Sequence, residues 1–218
     1  MITSDLFGSA SHPEQRDETL YEGAVVLRGF ALAKESLLLQ AIDTIAAQAP
    51  FRHLITPGGF RMSVGMTNAG PLGWVSDRRG YRYDPIDPDS GKPWPAMPDV
   101  FLELAEAAAA RAGFSGFVPD ACLINRYEPG TRLTLHQDRN ERDFEQPIVS
   151  VSLGIPAVFQ FGGMQRTERA LRVPLAHGDV VVWGGPARLR YHGVLPLKPD
   201  HHEALGECRI NLTFRRAG

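Results

Sequence analysis

Two segments of the chain carry apolar residues at the three-to-four-residue spacing that places side chains on one face of a helix. In residues 33–48 that face comprises Leu37, Leu38, Ala41, Ile42 and Ile45. The second segment begins at Pro98 and ends near Ala112, with a proline in its first turn and Gly113 as its stop signal. Its apolar face comprises Phe101, Leu104, Ala105 and Ala108. The pattern therefore predicts two helices, each with one buried face.

The chain after residue 121 has a different pattern, in which short runs of β-branched and aromatic residues are separated by turn residues. The predicted strands are residues 121–127, 147–153, 157–161, 171–175, 179–183, 189–193 and 209–215. One earlier strand is predicted at residues 24–30. Regularly spaced short strands are typical of a sandwich or barrel, and the jelly roll is the natural candidate. The predicted fold class is mostly β with flanking helices, built on a jelly-roll, cupin-like core of the double-stranded β-helix type.

The length and texture of the chain predict a single domain over residues 1–218. We expect an N-terminal arm, a strand and a helix in residues 1–50, hairpins and loops in 51–97, and the second helix with the barrel in 98–218. Two cysteines are too few for a disulfide framework and fit a reducing compartment. The first residues lack a secretory pattern and no apolar run is long enough to cross a bilayer, so we expect a cytoplasmic protein without a membrane partner.

Charge is unevenly distributed in a chain whose formal net charge is only -2. Residues 52–82 contain one acid, Asp77, and five arginines, Arg52, Arg61, Arg78, Arg79 and Arg82. Aromatic residues are interleaved with them, as on a surface that follows phosphates and stacks on bases. On composition alone, a solvated loop in an arginine-rich chain is the better interpretation of this segment.

A histidine and an aspartate lie two residues apart in His136-Gln-Asp138, so an extended backbone projects both side chains to the same side. His192 follows a predicted strand and a turn rich in Gly and Pro. Two histidines and one carboxylate on one face of a metal leave other positions open, as in non-haem Fe(II) oxygenases. A bare His-x-Asp is only weakly specific. We assign no metal role to three other histidines, His177, His201 and His202.

The predicted C-terminal strand has one polar and one apolar face. The period of two places Arg209, Asn211, Thr213 and Arg215 on the first face, and Ile210, Leu212 and Phe214 on the second. Two arginines directed into a barrel require anions, and 2-oxoglutarate carries a carboxylate at each end. Asn125 and Tyr127 offer a matching polar face on the strand 121–127. The alternative is an edge strand that exposes its arginines to solvent, and the His-x-Asp…His set favours the inward orientation.

These motifs resemble, in order and spacing, those of the AlkB family of nucleic-acid dealkylases. The C-terminal half carries Asn125-Arg-Tyr, His136-Gln-Asp, His177-Gly-Asp-Val-Val-Val-Trp-Gly-Gly, Tyr191-His-Gly and Arg209-Ile-Asn-Leu-Thr-Phe-Arg. The resemblance covers nearly the whole chain. In the N-terminal half, the segments that look like the family's nucleotide-recognition lid are Thr56-Pro-Gly-Gly, Met62-Ser-Val-Gly-Met-Thr-Asn, Gly73-Trp74 and Tyr81-Arg-Tyr83. Several linked motifs in one register are highly specific, so the resemblance places the lid in residues 51–97.

The resemblance implies a site, a co-substrate and a reaction. Fe(II) would be held by His136, Asp138 and His192. The 2-oxoglutarate site would comprise Asn125, Tyr127, Arg209, Asn211, Thr213 and Arg215, with Arg209 on the distal carboxylate and Arg215 on the one nearer the metal. O2 and 2-oxoglutarate would yield succinate and CO2 while the N-alkyl carbon of a base is hydroxylated. The hydroxylated carbon then leaves as an aldehyde and frees the base.

The implied substrate is alkylated DNA or RNA, such as 1-methyladenine or 3-methylcytosine, in a single strand or as a flipped base bound by a monomer. The residues expected to bind it are Thr56, Ser63, Trp74, Tyr81, Arg82, Tyr83, Asn140 and Arg166. Flipping costs a few kcal/mol, which stacking on aromatic side chains offsets at ~1–3 kcal/mol per base. Two positions depart from the family pattern: Asn140 replaces an acid and Arg82 replaces an apolar residue. Both departures concern substrate preference rather than chemistry.

Two other functions are compatible with parts of the sequence. A 2-oxoglutarate oxygenase acting on a protein side chain or a small molecule would share the metal and co-substrate residues, but it would not need the lid. A non-catalytic, cupin-like module with a structural metal would need no 2-oxoglutarate cradle. Salt-sensitive binding of an alkylated oligonucleotide distinguishes the first alternative from a nucleic-acid dealkylase.

Overall fold

The computed structural model describes residues 17–218, and the part of the predicted N-terminal arm in residues 1–16 lies outside the described residues. The two helices are α1 (Glu35–Gln48) and α2 (Asp99–Arg111). The strands are β1 (Asp17–Tyr21), β2 (Ala24–Leu27), β3 (Gly65–Ala69), β4 (Gly73–Asp77), β5 (Gly80–Asp84), β6 (Ala121–Tyr127), β7 (Leu133–His136), β8 (Ile148–Gly154), β9 (Ala157–Phe161), β10 (Leu171–Leu175), β11 (Val180–Trp183), β12 (His192–Val194) and β13 (Arg209–Arg215). No helix within residues 17–218 is long and apolar enough to cross a membrane.

The strands form two larger sheets and one hairpin. The major sheet has seven strands in the order β1-β2-β11-β8-β13-β6-β3, and the minor sheet has four in the order β10-β9-β12-β7. Strands β4 and β5 pair only with each other, as an antiparallel hairpin. All strand pairs are antiparallel within the described residues. Two antiparallel sheets with two flanking helices confirm the predicted jelly-roll fold class.

Both helices pack on the outer face of the major sheet. The shared core contains apolar side chains of α1 and α2 together with alternate residues of β8, β11 and β13. Helix α2 buries the face predicted for it, with Ala109 in addition. Helix α1 buries Leu38, Ile42 and Ile45, but Leu37 is 57% exposed, so its predicted burial is wrong. Leu37 is adjacent to Leu38 in the chain and therefore lies about 100° further around the helix, beyond the sheet.

A second apolar core lies between the two sheets. It is formed by the other alternate residues of the major sheet, such as Val181 and Trp183, and by Phe159, Phe161 and Val194 of the minor sheet. The central strands β8, β11 and β13 of the major sheet thus bury both faces, one against the helices and one against the minor sheet. The second core ends at a cavity that opens between the sheets, and this cavity contains most of the predicted site residues.

Several element boundaries differ from the predicted ones for local reasons. The strand predicted to reach residue 30 ends at Leu27, because Gly29 turns the chain with a φ of 63°. The strand predicted at 189–193 begins only at His192, because residues 185–187 form a short 3-10 helix whose turn continues to Arg190. Strands β1, β3 and β7 were not predicted as strands. The residues of β1 and β3 do not alternate between apolar and polar, whereas β7 alternates but has only four residues.

Candidate active site

Three neighbouring strands of the major sheet direct polar side chains toward the minor sheet. Antiparallel pairing sets Arg209 of β13 opposite Tyr127 of β6, and Asn211 opposite both Asn125 of β6 and Ser152 of β8. The lining of the cavity includes, from these strands, Asn125, Tyr127, Ser150, Arg209, Asn211, Thr213 and Arg215. The inward orientation predicted for the C-terminal strand is therefore confirmed. The edge-strand alternative is wrong, because β13 lies between β8 and β6.

The arginine at the start of β13 is buried without a carboxylate. Arg209 is 2% exposed and donates one hydrogen bond from Nη2 to Ser152 Oγ, at 2.9 Å. Its Nε and Nη1 find no hydrogen-bond partner among residues 17–218. Burial lowers the pKa of Arg209, and the polar side chain of Tyr127 offsets this effect only in part. An unpaired buried cation is costly, so the cavity fits an anion at this position.

The three predicted metal ligands converge on the opposite side of the cavity. His136 of β7 and His192 of β12 are directly opposed in the minor sheet, and their ring centroids lie 4.4 Å apart. Asp138 follows the end of β7 by two residues, with its carboxylate oxygens 3.7 Å from His136 Nε2 and 3.6 Å from His192 Nε2. One potential ligand atom from each residue lies within 4.8 Å of the others. Sheet pairing therefore brings together ligands that are 56 residues apart in the chain.

The hydrogen bonds of the two histidines leave their Nε2 atoms available to a metal. His136 Nδ1 lies 2.9 Å from the carbonyl oxygen of Thr134, and His192 Nδ1 lies 3.1 Å from that of Arg190. A carbonyl can only accept, so each Nδ1 carries the hydrogen and each Nε2 keeps its lone pair. Desolvation and the neighbouring His192 lower the pKa of His136 to about 4, so that its ring is neutral near pH 7. Metal ligation requires this neutral form.

Asp138 is held as a carboxylate by the arginine at the end of β13. Arg215 places Nε at 2.9 Å and Nη2 at 2.8 Å from Asp138 Oδ2. Burial alone would raise the pKa of Asp138, but Arg215 and the two histidines hold it well below its usual range. Burial likewise disfavours the cation of Arg215, yet Asp138 and other neighbours raise its pKa on balance. Arg215 Nη1 still has no hydrogen-bond partner among residues 17–218, which leaves one donor for a second anion.

Another group of potential metal ligands, formed by Glu35, His177 and His202, has the opposite hydrogen-bond pattern. The backbone N–H of Gly154 donates to His177 Nδ1 at 2.9 Å. Since that nitrogen accepts, Nε2 of the neutral ring carries the hydrogen, and it lies 3.3 Å from Glu35 Oε1. The ring of His202 stacks on His177. We interpret this group as a polar contact between α1 and the barrel, and the assignment of no metal role to His177 and His202 stays a prediction.

The β4–β5 hairpin covers the mouth of the cavity. Trp74 and Tyr81 stack on each other, with ring centroids 5.6 Å apart and planes tilted by 14°. Trp74 Nε1 donates to Asn140 Oδ1 at 3.4 Å, and Asn140 Nδ2 donates to the carbonyl oxygen of Tyr81 at 3.5 Å. Of the residues predicted to bind substrate, those lining the cavity are Thr56, Ser63, Trp74, Tyr81 and Asn140. The cavity encloses about 390 Å³, within the range of small-ligand sites.

Three residues predicted to bind substrate do not line the cavity. Arg82 lies on the other face of the hairpin, where it pairs with Asp77 at 3.0 Å and Asp84 at 3.4 Å. Tyr83 points behind the cavity wall and donates from its hydroxyl to Glu141 Oε1 at 2.7 Å. Arg166 is exposed in the segment between β9 and β10. Alternation along β5 explains the position of Arg82, because it places this side chain on the opposite face of the strand from the two tyrosines beside it.

The sequence did not indicate a buried ionic cluster behind the cavity. The Glu141 side chain is 1% exposed and lies 3.3 Å from Arg188 and 3.4 Å from Arg215. Arg188 is itself 3% exposed. A carboxylate and an arginine in loops usually indicate solvated charges, and no periodicity distinguishes these two. Their burial becomes visible only when the loops are folded against each other.

A jelly roll with a His/Asp/His cluster at its mouth and buried arginines facing it defines an Fe(II)- and 2-oxoglutarate-dependent oxygenase. The sequence profile of the 2OG-Fe(II) oxygenase superfamily matches residues 23–215. The donor set suits Fe(II), because two imidazoles and one carboxylate leave positions open for co-substrate and O2. Fe(II) and 2-oxoglutarate are the cofactor and co-substrate of this chain.

Similar proteins identify the family within this class. The chain is 56% identical over 214 residues to the alpha-ketoglutarate-dependent dioxygenase AlkB of Escherichia coli, and the match covers 98% of each chain. It is 34% identical over 137 residues to the nucleic acid dioxygenase ALKBH1 of Mus musculus, covering 63% of this chain and 34% of that relative. The solved structure of OsALKBH1 superposes with a TM-score of 0.81 at 27% identity, over 92% of this chain and 100% of that chain. The chain belongs to the AlkB family.

Proposed function

We propose that this protein removes alkyl groups from the bases of DNA or RNA by oxidation, and that the cavity between the two sheets is where the alkylated base reacts. Oxidative dealkylation follows from membership of the AlkB family. The assignment of the site rests on one observation: three groups of residues suited to this reaction line the same cavity. It has a His/Asp/His cluster, two buried arginines with unpaired donors and a stacked aromatic pair at its mouth.

Fe(II) is held, in this proposal, by Nε2 of His136, Nε2 of His192 and the carboxylate of Asp138. Bound Fe(II) supplies the activation of O2 that the oxidation requires. The protein supplies two neutral imidazoles fixed by backbone carbonyls and one carboxylate kept ionised by Arg215. Fixed hydrogen bonds to the far side of metal ligands set their orientation and basicity. The cluster therefore needs little rearrangement to take up a metal.

The co-substrate lies along β13 in this proposal, with a carboxylate at each end of the polar row. Arg209 takes the distal carboxylate, because its Nε and Nη1 lack partners among residues 17–218 and no acid compensates its charge. Arg215 takes the carboxylate nearer the metal with its free Nη1. Asn125, Tyr127, Asn211 and Thr213 complete the row between them. Charge-assisted hydrogen bonds at both ends fix the orientation of a dicarboxylate.

The alkylated base enters beneath the hairpin and stacks on the aromatic pair. Trp74 and Tyr81 provide the stacking surface, while Asn140 provides an amide at the edge of the cavity. Thr56 and Ser63 line the mouth, where the sugar-phosphate backbone would pass. Single strands or flipped bases are preferred, because a base paired in a duplex cannot reach the metal cluster. Apolar walls from Leu133, Phe159 and Val194 limit the access of water to the reacting carbon.

The test is anaerobic reconstitution with Fe(II) and 2-oxoglutarate, followed by O2 and mass spectrometry of a panel of alkylated oligonucleotides. We expect loss of the alkyl group from single-stranded substrates, together with formation of succinate. Omitting 2-oxoglutarate, or using Asp138→Ala, should abolish both. Succinate formation that is stimulated by a peptide or metabolite, and not by any oligonucleotide, would show that the cavity serves another substrate.

We also propose a monomer in the cytoplasm. Both cysteines, Cys122 and Cys208, are free, as expected in a reducing compartment. One cavity holds all the proposed catalytic groups within a single chain, so the reaction needs no second copy. Light scattering on the purified protein tests the oligomeric state, and fluorescence microscopy of a tagged chain tests the location.

A further inference from the structure

We propose that Arg188 is a positioning residue for this active site. Arg188 fixes the conformation of the segment that carries Asp138, and through Glu141 and Tyr83 it also holds the β4–β5 hairpin over the cavity. Residues 137–147 connect β7 to β8 without a helix or a strand. This segment, the metal loop, carries Asp138 and also Asn140. The inference rests on the proposed use of the cavity for an alkylated base.

One guanidinium contacts the metal loop at four places along its length. Arg188 donates from Nη1 to the carbonyl oxygen of Asp138 at 3.2 Å and from Nε to that of Gln146 at 3.0 Å. Its Nη2 forms an ion pair with Glu141 Oε2 at 3.3 Å. Its Cζ lies 5.4 Å from the ring centroid of Phe144. The planar five-donor fork of arginine suits such bridging, and the single ammonium of lysine does not.

The backbone of Arg188 is itself fixed by a hydrogen-bonded turn. Arg188 follows the short 3-10 helix at residues 185–187, and its backbone N–H donates to the carbonyl oxygen of Gly185 at 3.0 Å. This turn joins β11 to β12, the strand that carries His192. Arg188 therefore ties the loop of one metal ligand to the turn that leads into another. Two further contacts hold the metal loop, from Gln137 to the Leu189 carbonyl and from the Arg142 N–H to the Ala217 carbonyl.

A chain of contacts leads from Arg188 to the hairpin. Glu141 accepts from the hydroxyl of Tyr83, and Tyr83 pairs with Trp74 across the hairpin. Glu141 is 1% exposed, so its carboxylate depends on nearby cations. The cations that face it are Arg188 and Arg215. Arg215 already contacts both Asp138 and Glu141. Without Arg188, Arg215 would be the remaining cation beside Glu141 within residues 17–218, and a stronger pull toward Glu141 would weaken its hold on the metal ligand Asp138.

The control is Arg28, an arginine with a similar set of contacts that lie away from the metal loop, although its side chain is 30% exposed and that of Arg188 only 3%. Arg28 Nη1 donates to the Pro174 carbonyl at 2.7 Å and to Asp179 Oδ2 at 2.7 Å, and its guanidinium also pairs with Glu18. Arg28→Lys and Arg188→Lys remove comparable hydrogen bonds and keep the charge. A merely structural role predicts similar behaviour of the two variants at the active site.

The experiment compares wild type, Arg28→Lys and Arg188→Lys in three measurements that need no turnover. Hydrogen exchange of the metal-free protein should be faster in residues 73–84 and 137–147 for Arg188→Lys only. Co²⁺ should bind Arg188→Lys about tenfold more weakly, and a single-stranded 3-methylcytosine oligonucleotide should bind its Mn²⁺ form about tenfold more weakly, as expected for one lost charge-assisted hydrogen bond. If Arg188→Lys matches Arg28→Lys in all three, Arg188 does not position the site.

Tyr83→Phe tests the route to the hairpin in a variant that loses only a hydroxyl group. It should speed exchange in residues 73–84 and leave Co²⁺ affinity unchanged. Combined with Arg188→Lys, it should add nothing further to hairpin exchange, because both changes interrupt one chain of contacts. Additive effects would overturn the link through Glu141. If wild type binds no alkylated oligonucleotide, the proposed function fails, while exchange and Co²⁺ affinity still decide the role of Arg188.

Discussion

Strand β13 and the β4–β5 hairpin form facing walls of one cavity, and they are held in place in different ways. Strand β13 pairs along its length with β8 and β6, so backbone hydrogen bonds set the positions of Arg209 and Arg215. The hairpin pairs only with itself, and side-chain contacts such as those of Tyr83 and Asn140 connect it to the barrel. The side chains that bind the co-substrate are therefore held at fixed positions by the sheet, whereas the hairpin can change its position when a substrate binds.

The largest effect should come from the metal cluster, on which both walls depend. His136→Ala, Asp138→Ala and His192→Ala should each abolish turnover and Fe(II) retention, because a set missing one of three ligands no longer fixes the metal. Metal analysis and oligonucleotide demethylation measure the two outcomes. His201→Ala, at an exposed position outside the cavity, is the control. Substantial activity and iron in any of the three variants would contradict the assignment.

The second largest effect should fall on co-substrate binding alone, which distinguishes β13 from the hairpin. Arg209→Ala and Arg215→Ala should each weaken 2-oxoglutarate binding by at least two orders of magnitude, since breaking a buried charge pair costs ~3–5 kcal/mol. Arg216→Ala, at the neighbouring position with a side chain that is 45% exposed, should leave 2-oxoglutarate binding unchanged. Calorimetric titration of the metal-loaded protein measures this. Weakened oligonucleotide binding with normal 2-oxoglutarate binding would mean that the strand serves the substrate instead.

The comparison of the two walls also explains what could be predicted from the sequence. The polar face of β13 was predictable because the period of two applies to every residue of a paired strand, and two arginines flanking Asn211 leave few orientations. The opposition of His136 and His192 was not predictable, since it depends on the register of β7 against β12. The burial of Glu141 and Arg188 was not predictable either, because loops carry no periodic signal.

In the hairpin, the resemblance to the AlkB family did not predict correctly which side chains line the cavity. The motif Tyr81-Arg-Tyr83 was assigned to substrate binding as a whole, but only Tyr81 lines the cavity. Adjacent residues of a strand face opposite sides, so Arg82 turns to its salt bridges with Asp77 and Asp84. Tyr83 shares the orientation of Tyr81, but the position of Glu141 draws it behind the wall. Sequence alone does not show where a neighbouring loop will place its partner.

A moderate effect should follow from weakening the hairpin wall alone. Trp74→Ala should reduce affinity for a single-stranded alkylated oligonucleotide by about tenfold, because base stacking contributes ~1–3 kcal/mol. Its affinity for 2-oxoglutarate should stay the same, since Trp74 belongs to a hairpin that does not pair with β13. Fluorescence anisotropy with a labelled oligonucleotide, beside titration of 2-oxoglutarate, measures both. Loss of both affinities together would show that the two walls are not independent.

The smallest effect concerns Asn140, which joins the metal loop to the hairpin. Its amide accepts from Trp74 Nε1 and donates to the Tyr81 carbonyl, and it lines the cavity. An acid at this position would attract a cationic base such as 3-methylcytosine through charge and a charge-assisted hydrogen bond. The neutral amide lacks that charge, and its NH2 can donate to a carbonyl oxygen such as that of 3-methylthymine.

Asn140→Asp should therefore raise the preference for cationic over neutral lesions. A charge-assisted hydrogen bond exceeds a neutral one by ~1 kcal/mol, so the change should be several-fold rather than absolute. The new carboxylate can still accept from Trp74 but cannot donate to the Tyr81 carbonyl, so some loss of overall rate is expected with both substrates. The ratio of kcat/KM values for 3-methylcytosine and 3-methylthymine, in matched single strands, cancels that common loss. An equal ratio in wild type and Asn140→Asp would show that residue 140 does not contact the base and serves only to hold the hairpin.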